Sequence, residues 1–180
     1  MQEDLVVILD RLGNPIGEEE KLAAHQTGLR HLAFSVLLYR IHEGNTQYLL
    51  QQRAHYKYHS GDLWSNTCCS HPRPNEKIIK ACQRRLVEEM GISAKLNLED
   101  IGQISYRAKF ANGLTENELD HVVIAQAEGI EWQLNPDEAQ DCRWWSAQDI
   151  AQTLESQPET FSAWFRLVFD KAEQHLNKPD

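Results

Sequence analysis

A mixed α/β (α+β) fold, with one β-sheet flanked by helices, is what this sequence predicts. Short apolar runs bounded by turn residues alternate along it with longer segments whose apolar residues recur at helical spacing. A length of 180 residues suits one domain with a substantial core and a water-excluded pocket. No internal repeat, low-complexity tract or long linker divides the chain, so the expected domain is 1–180.

Leu5 to Leu9 reads as a strand closed by the turn-like Leu12-Gly13-Asn14-Pro15. Ala33 to Tyr39 and Gln47 to Gln52 are rich in strand formers and flank Glu43-Gly44-Asn45, which predicts a hairpin. Asn75 to Met90 reads as a helix: Asn75 as its N-cap, Ile79, Cys82, Leu86 and Met90 as its apolar stripe, Gly91 as its stop. Glu116 to Ala127 and Arg143 to Trp145 read as strands. Ser146 with Asp149 forms a capping-box pattern opening a short helix. Pro158 then starts a last amphipathic helix carrying Phe161, Trp164, Phe165, Val168 and Leu176.

Composition narrows the function. With 18 basic and 27 acidic residues the net charge is -9, which argues against nucleic acid as a partner while allowing a small anion held by a few local cations. No apolar stretch approaches the roughly 20 residues that span a bilayer. Glu3 and Asp4 precede any apolar run, unlike a signal peptide, so no membrane association and a cytoplasmic location are expected. Cys68, Cys69, Cys82 and Cys142 show no C-x-x-C pair, which suits a reduced compartment rather than a structural zinc site.

Taken singly, His25, His31 and His71 read as surface or satisfied histidines. Glu116 and Glu118 lie two apart on a strand and share a face, with Asp120 continuing the row. That row reads either as a solvated edge or as a ligand pair. Three imidazoles with two carboxylates suit manganese, iron or zinc, with magnesium possible through the oxygens. In the helix E-K-I-I-K-A-C-Q-R-R-L-V-E-E-M-G-I, Arg84 with Glu88 and Arg85 with Glu89 are spaced to pair along one face.

That helix resembles the helical part of the Nudix box, in which glutamates serve a cation bound to a diphosphate. Two departures separate it from the hydrolase box: Ser70 replaces the leading glycine, and Arg85 replaces the first glutamate of the R-E pair. Trp64-Ser65-Asn66-Thr67-Cys68-Cys69-Ser70-His71-Pro72 resembles the W-[ST]-N-[ST]-x-C-x-H-P stretch of the type I isopentenyl-diphosphate isomerases. Four further blocks agree in order: Lys21 to Ser35, the R-R-L-x-E-E-x-G-I helix, Tyr106-Arg107-Ala108 before Glu116-Asn117-Glu118, and Phe161-Ser162-Ala163-Trp164. Asn75, where that family often has glycine, and the short loop between His25 and His31 depart from it.

The resemblance implies a Nudix-like fold and a metal-dependent isomerase acting on a small allylic or homoallylic diphosphate, as a monomer or weak homodimer. It implies Cys69 and Glu118 as the proton-transfer groups, Tyr106 as a hydroxyl beside the glutamate, and Trp164 as an aromatic wall. His25, His31, His71, Glu116 and Glu118 match a site for Mn2+, Mg2+ or Zn2+. Glu89 matches the group assisting a substrate-bound Mg2+, and Lys21, Arg53, Lys57 and Arg85 match the cations that hold the diphosphate. Neighbouring cations are expected to lower the Cys69 pKa. The alternatives are a Nudix hydrolase of a nucleoside diphosphate derivative, which would carry an intact box, and a non-catalytic Nudix-like module, which would tolerate loss of the reactive residues.

Overall fold

The apolar run from Ala33 to Tyr39 falls within β3 (His31–His42), and its residues from Ala33 to Leu38 are all at most 2% exposed. A strand covered on both faces reads as such a continuous apolar run. The computed structural model describes residues 5–179; Glu3 and Asp4, on which the N-terminal expectation rests, lie outside them. Along one edge β3 pairs in parallel with β8 (Thr115–Gln126), which pairs in turn with β7 (Glu99–Lys109). It also pairs, antiparallel, with β1 (Leu5–Leu9), β6 (Cys68–Ser70) and β4 (Asn45–Arg53). β2 (Pro15–Glu20) extends β1, while β5 (Trp64–Ser65) and β9 (Ala139–Ser146) pair with β4.

Strand alternation sends Phe34, Val36, Leu38, Val123 and Ala125 into one core beneath α2 (Ile78–Met90). Leu37, Val122 and Ile124 enter a second core beneath α3 (Ala147–Ser156) and α4 (Phe165–Leu176). The same alternation parts the adjacent cysteines. Cys68 is wholly buried on the α2 side, and Cys69 packs against the other core. The result is an α+β architecture of one mixed sheet between helices.

The predicted hairpin forms, with His42 opposite Asn45 and both turn residues left-handed (Glu43 φ 50°, Gly44 φ 78°), as a two-residue turn with the twist of the strands requires. Beyond Tyr39 and Tyr48 the two strands part, and the segment from Trp64 to Ser70 fills the fork. Thr67 replaces the missing rung: Leu38 N–H donates to its Oγ1 (2.9 Å), which donates to the Leu49 carbonyl (2.6 Å). Asn66 Nδ2 donates to the carbonyls of Cys68 (2.7 Å) and Val36 (3.2 Å). Thr67→Val would strand two buried backbone groups, each costing about 1–3 kcal/mol. Urea unfolding should show that loss for Thr67→Val and little of it for Thr67→Ser, which keeps the hydroxyl.

Two helix starts differ from the sequence expectation, and the strand expected at Arg143 to Trp145 is longer, running Ala139–Ser146. The helix expected from Asn75 begins at Ile78, with Lys77 as its N-cap; Asn75 takes a left-handed conformation (φ 65°) in the preceding turn. Its end at Gly91 is as expected, left-handed at φ 62°. Pro158 opens only a 3-10 turn, Pro158–Thr160, and α4 starts at Phe165. Phe161 is extended and bridges to Trp64, and Trp164 caps α4 instead of riding on it. Trp164 Nε1 donates to Asn66 Oδ1 (3.1 Å), so tertiary contacts with the fork set where the helix begins. The Ser146 cap is present, its Oγ accepting from Asp149 N–H. β2, α1 (Lys21–Thr27), β5, β6 and β7 correspond to no element expected from local sequence pattern. No helix among the described residues is long and apolar enough to cross a membrane.

Candidate active site

Backbone register gathers the ionisable residues. The parallel β3–β8 pairing sets His31 opposite Glu118, and the antiparallel β7–β8 pairing sets Tyr106 opposite Glu118. α1 ends on Gly28 in the left-handed region (φ 69°), turning the chain from His25 into β3. β6, opposite Phe34 to Val36, delivers Cys69 and then His71 to the same end of the sheet. One donor atom from each of His25, His31, His71, Glu116 and Glu118 lies within 4.8 Å of all the others. The resemblance implied this set, and the fold brings all five together.

Hydrogen-bond partners show what the cluster can hold. His25 Nδ1 lies 2.5 Å from the Lys21 carbonyl and His31 Nδ1 2.9 Å from the Leu29 carbonyl. A carbonyl only accepts, so each Nδ1 carries the proton, and in a neutral ring Nε2 then presents a lone pair. Those lone pairs face carboxylate oxygens: His25 Nε2 is 3.1 Å from Glu116 Oε1, and His31 Nε2 is 3.3 Å from Glu118 Oε1. The His31 contact lacks hydrogen-bond alignment, leaving a buried Nε2 without a hydrogen-bond partner. Burial holds the His31 and His71 rings below the usual imidazole range, which favours their neutral forms. Imidazoles tied back through Nδ1, with Nε2 aimed at two carboxylates, form a donor set compatible with a divalent cation.

The carboxylates titrate as a pair. Burial favours the neutral form of both, yet hydrogen bonds that include those of Glu118 and His59 hold Glu116 well below the usual range. Burial and the charge of Glu116 act together to hold Glu118 well above it. Two adjacent buried carboxyls cannot both ionise without added positive charge. Asp120, the next in the row, accepts from Ser35 Oγ at 2.7 Å and is likewise raised, to about 7, chiefly by burial.

A cleft opens beside the cluster. Lys21, Arg53, Lys57 and Arg85 all line it, together with Cys69, Trp164, Glu89 and Glu118. Arg85 pairs with Glu89 (2.6 Å) and reaches Glu138 (3.2 Å), which also holds Lys57 (2.6 Å). Arg53 lies over the Trp164 ring at 5.1 Å, with Nη1 3.8 Å from Cys69 Sγ. The Tyr106 hydroxyl is buried without a hydrogen-bond partner, and its ring meets Trp164 edge-on at 6.0 Å.

One expectation is overturned. The Cys69 thiol is not lowered by its cations but pushed up to about 12, because burial outweighs Arg53. A neutral thiol is therefore the resting form. His59, Tyr58, Gln51 and Glu138 also line the cleft, and no sequence motif points to them. His59 and Tyr58 sit in the irregular loop after β4, where no periodicity aims a side chain. The only signal there was the density of histidine, tyrosine and lysine between Arg53 and His59.

A family model described as NUDIX domain matches residues 29–165. The isopentenyl-diphosphate Delta-isomerase of Aliivibrio fischeri (strain MJ11) is 48% identical over 177 residues, 97% of this chain and 98% of that protein. The protein of the same name from Photobacterium profundum is 49% identical over 166 residues, 92% of each chain. Among solved structures, the MutT protein of Methanosarcina mazei Go1 aligns with a TM-score of 0.63 at 19% identity, covering 83% of this chain and 96% of that one. At that identity the likeness is one of fold.

Proposed function

The chain belongs to the Nudix family and, within it, to the isopentenyl-diphosphate Delta-isomerases, and we propose that it interconverts isopentenyl and dimethylallyl diphosphate in this cleft. The observation that carries the reading is that a thiol, Cys69, and a carboxyl, Glu118, line the same cleft as four cations. Shifting the double bond means adding a proton at one carbon and removing one from another, with positive charge developing between the two events. Cys69 and Glu118 are the two proton-transfer groups in this reading, with Tyr106 beside Glu118 to relay. Trp164 presents a ring face that favours a developing carbocation, and burial of the cleft keeps water from quenching it.

The diphosphate is an anchor. Lys21, Arg53, Lys57 and Arg85 hold it, with Glu89 assisting a magnesium ion that enters with the substrate. His25, His31, His71, Glu116 and Glu118 hold a second cation of the manganese, magnesium or zinc class, which supplies the positive charge that the carboxylate pair lacks. At the box position where a hydrolase has glutamate, Arg85 contributes positive charge toward the anion, which favours anchoring over cleavage. Incubating the protein with isopentenyl diphosphate and Mg2+ should yield dimethylallyl diphosphate without phosphate release. Phosphate release without the allylic product would refute the reading.

Arg85→Ala tests the anchor. Loss of one charge-assisted contact costs about 1.5–3 kcal/mol, roughly a 10- to 150-fold change in affinity. The Michaelis constant should rise by that order, with a smaller effect on turnover because ground and transition states share the anchor. An unchanged Michaelis constant would place the diphosphate elsewhere.

A further inference from the structure

His59 lies outside the five-residue cluster, yet it touches the carboxylate at its centre. Its Nε2 is 2.6 Å from Glu116 Oε1, the same oxygen that faces His25 Nε2 at 3.1 Å. The two rings meet that oxygen in opposite states. His25 gives its proton to a carbonyl through Nδ1 and turns a lone pair toward Glu116. His59 Nδ1 instead faces Ser60 Oγ at 3.0 Å, a hydroxyl able to donate. With Ser60 as donor, the neutral His59 ring carries its proton on Nε2 and gives it to Glu116. His25 is thus arranged as a ligand, and His59 as the donor that orients a ligand.

The ring is fixed on several sides. It stacks on Phe110 with centroids 4.3 Å apart and planes 6° from parallel, and it meets Trp164 edge-on at 5.8 Å. Its side chain is 3% exposed. The same residue's backbone carbonyl accepts from Arg53 Nη2 at 3.3 Å, while the other arm of Arg53 lies 3.8 Å from Cys69 Sγ. Lys57 stands two residues earlier in the loop, and the Tyr58 carbonyl between them accepts from Asn112 Nδ2 at 2.6 Å. One loop therefore carries an anion-binding lysine, braces Arg53 and reaches into the histidine–glutamate cluster.

From this geometry we infer that His59 is a positioning residue: its Nε2–H fixes the carboxylate of Glu116 for the cation and ties the Lys57 loop to the cation site. The inference rests on the cluster being that site. Outer partners of this kind are worth about 10- to 100-fold in metal affinity.

The test is Mn2+ affinity, measured by competition with a chromophoric chelator on the metal-stripped protein. His59→Ala and His59→Phe should both weaken Mn2+ by about 10- to 100-fold. His59→Gln, which retains an N–H donor, should recover most of that loss. His59→Phe keeps an aromatic ring against Phe110, so wild-type affinity in that variant would make His59 a packing residue and overturn the inference. Melting temperatures of the stripped proteins identify any variant that fails to fold, and the folded ones decide: near wild-type affinity in His59→Gln with affinity lowered in His59→Ala or His59→Phe supports the inference, and affinity lowered equally in all of them overturns it. His31→Ala separates the role of His59 from the identity of the site. If His31→Ala loses Mn2+ while His59→Ala and His59→Phe bind normally, only the role of His59 falls. If His31→Ala binds Mn2+ normally, the cluster is not the cation site and the inference falls with it.

Discussion

Cys69→Ala is expected to lower isomerase turnover by about 10²–10⁴-fold, the usual range for deleting a proton-transfer group, while Cys68→Ala turns over within a few-fold of the unmodified protein. The two cysteines are neighbours in β6, and pleating sends them to opposite faces of the sheet. Cys68 is fully buried among Phe34, Leu38, Leu49 and Leu86, where a thiol acts as a small apolar group. Its loss should cost about 1 kcal/mol of stability and leave the cleft intact. Cys69 lines the cleft, and its sulfur is touched by the guanidinium of Arg53. Because burial keeps that thiol protonated, no stored thiolate charge is lost on substitution, and metal content should be unchanged. Initial rates of dimethylallyl diphosphate formation, together with urea unfolding of both variants, check the pair. Near-normal turnover in Cys69→Ala would remove the thiol from the chemistry.

Local periodicity made the strands β1, β3, β4 and β8 legible, because their apolar runs are nearly continuous or end on clear turn residues. It also fixed the end of α2, since Gly91 is a C-cap defined by its own backbone. The start of α2 was misread because Asn75 suits an N-cap and a left-handed turn equally well, and only the second is realised. β7 was missed for the opposite reason: most of its residues are exposed or half-buried, so no apolar pattern reports it. The start of α4 depends on Trp164 reaching Asn66, a contact 98 residues apart that no local pattern encodes.

The candidate site divides in the same way. Residues tied to an ordered motif, such as Cys69, His71, Glu116 and Glu118, could be named from sequence, but their convergence depends on the parallel register of β3 with β8. His59, Tyr58 and Glu138 lie on irregular segments and stayed invisible. The direction of the Cys69 shift was misjudged because sequence reveals neighbouring charge but not burial, and burial wins.

His31→Ala is expected to abolish cation-dependent stabilisation and activity together. His31 Nε2 is buried, bears no hydrogen bond and faces the carboxylate of Glu118, so its lone pair has no use in the protein except toward an electrophile. A divalent ion that binds only the folded state stabilises it by about 2.7 kcal/mol when present at a hundredfold excess over its dissociation constant. For a chain of this size that corresponds to a rise in melting temperature of roughly 5–11 °C. The stripped parent protein should show this rise on addition of Mn2+, and stripped His31→Ala should show almost none. Without the cation, the buried Glu116–Glu118 pair has nothing to offset its second charge, so turnover should fall with the thermal shift. His31→Gln offers a weaker ligand at the same place and should fall between the two. Equal thermal shifts in the parent and His31→Ala would mean that Mn2+ binds elsewhere, and the lone pair of His31 would then need another explanation.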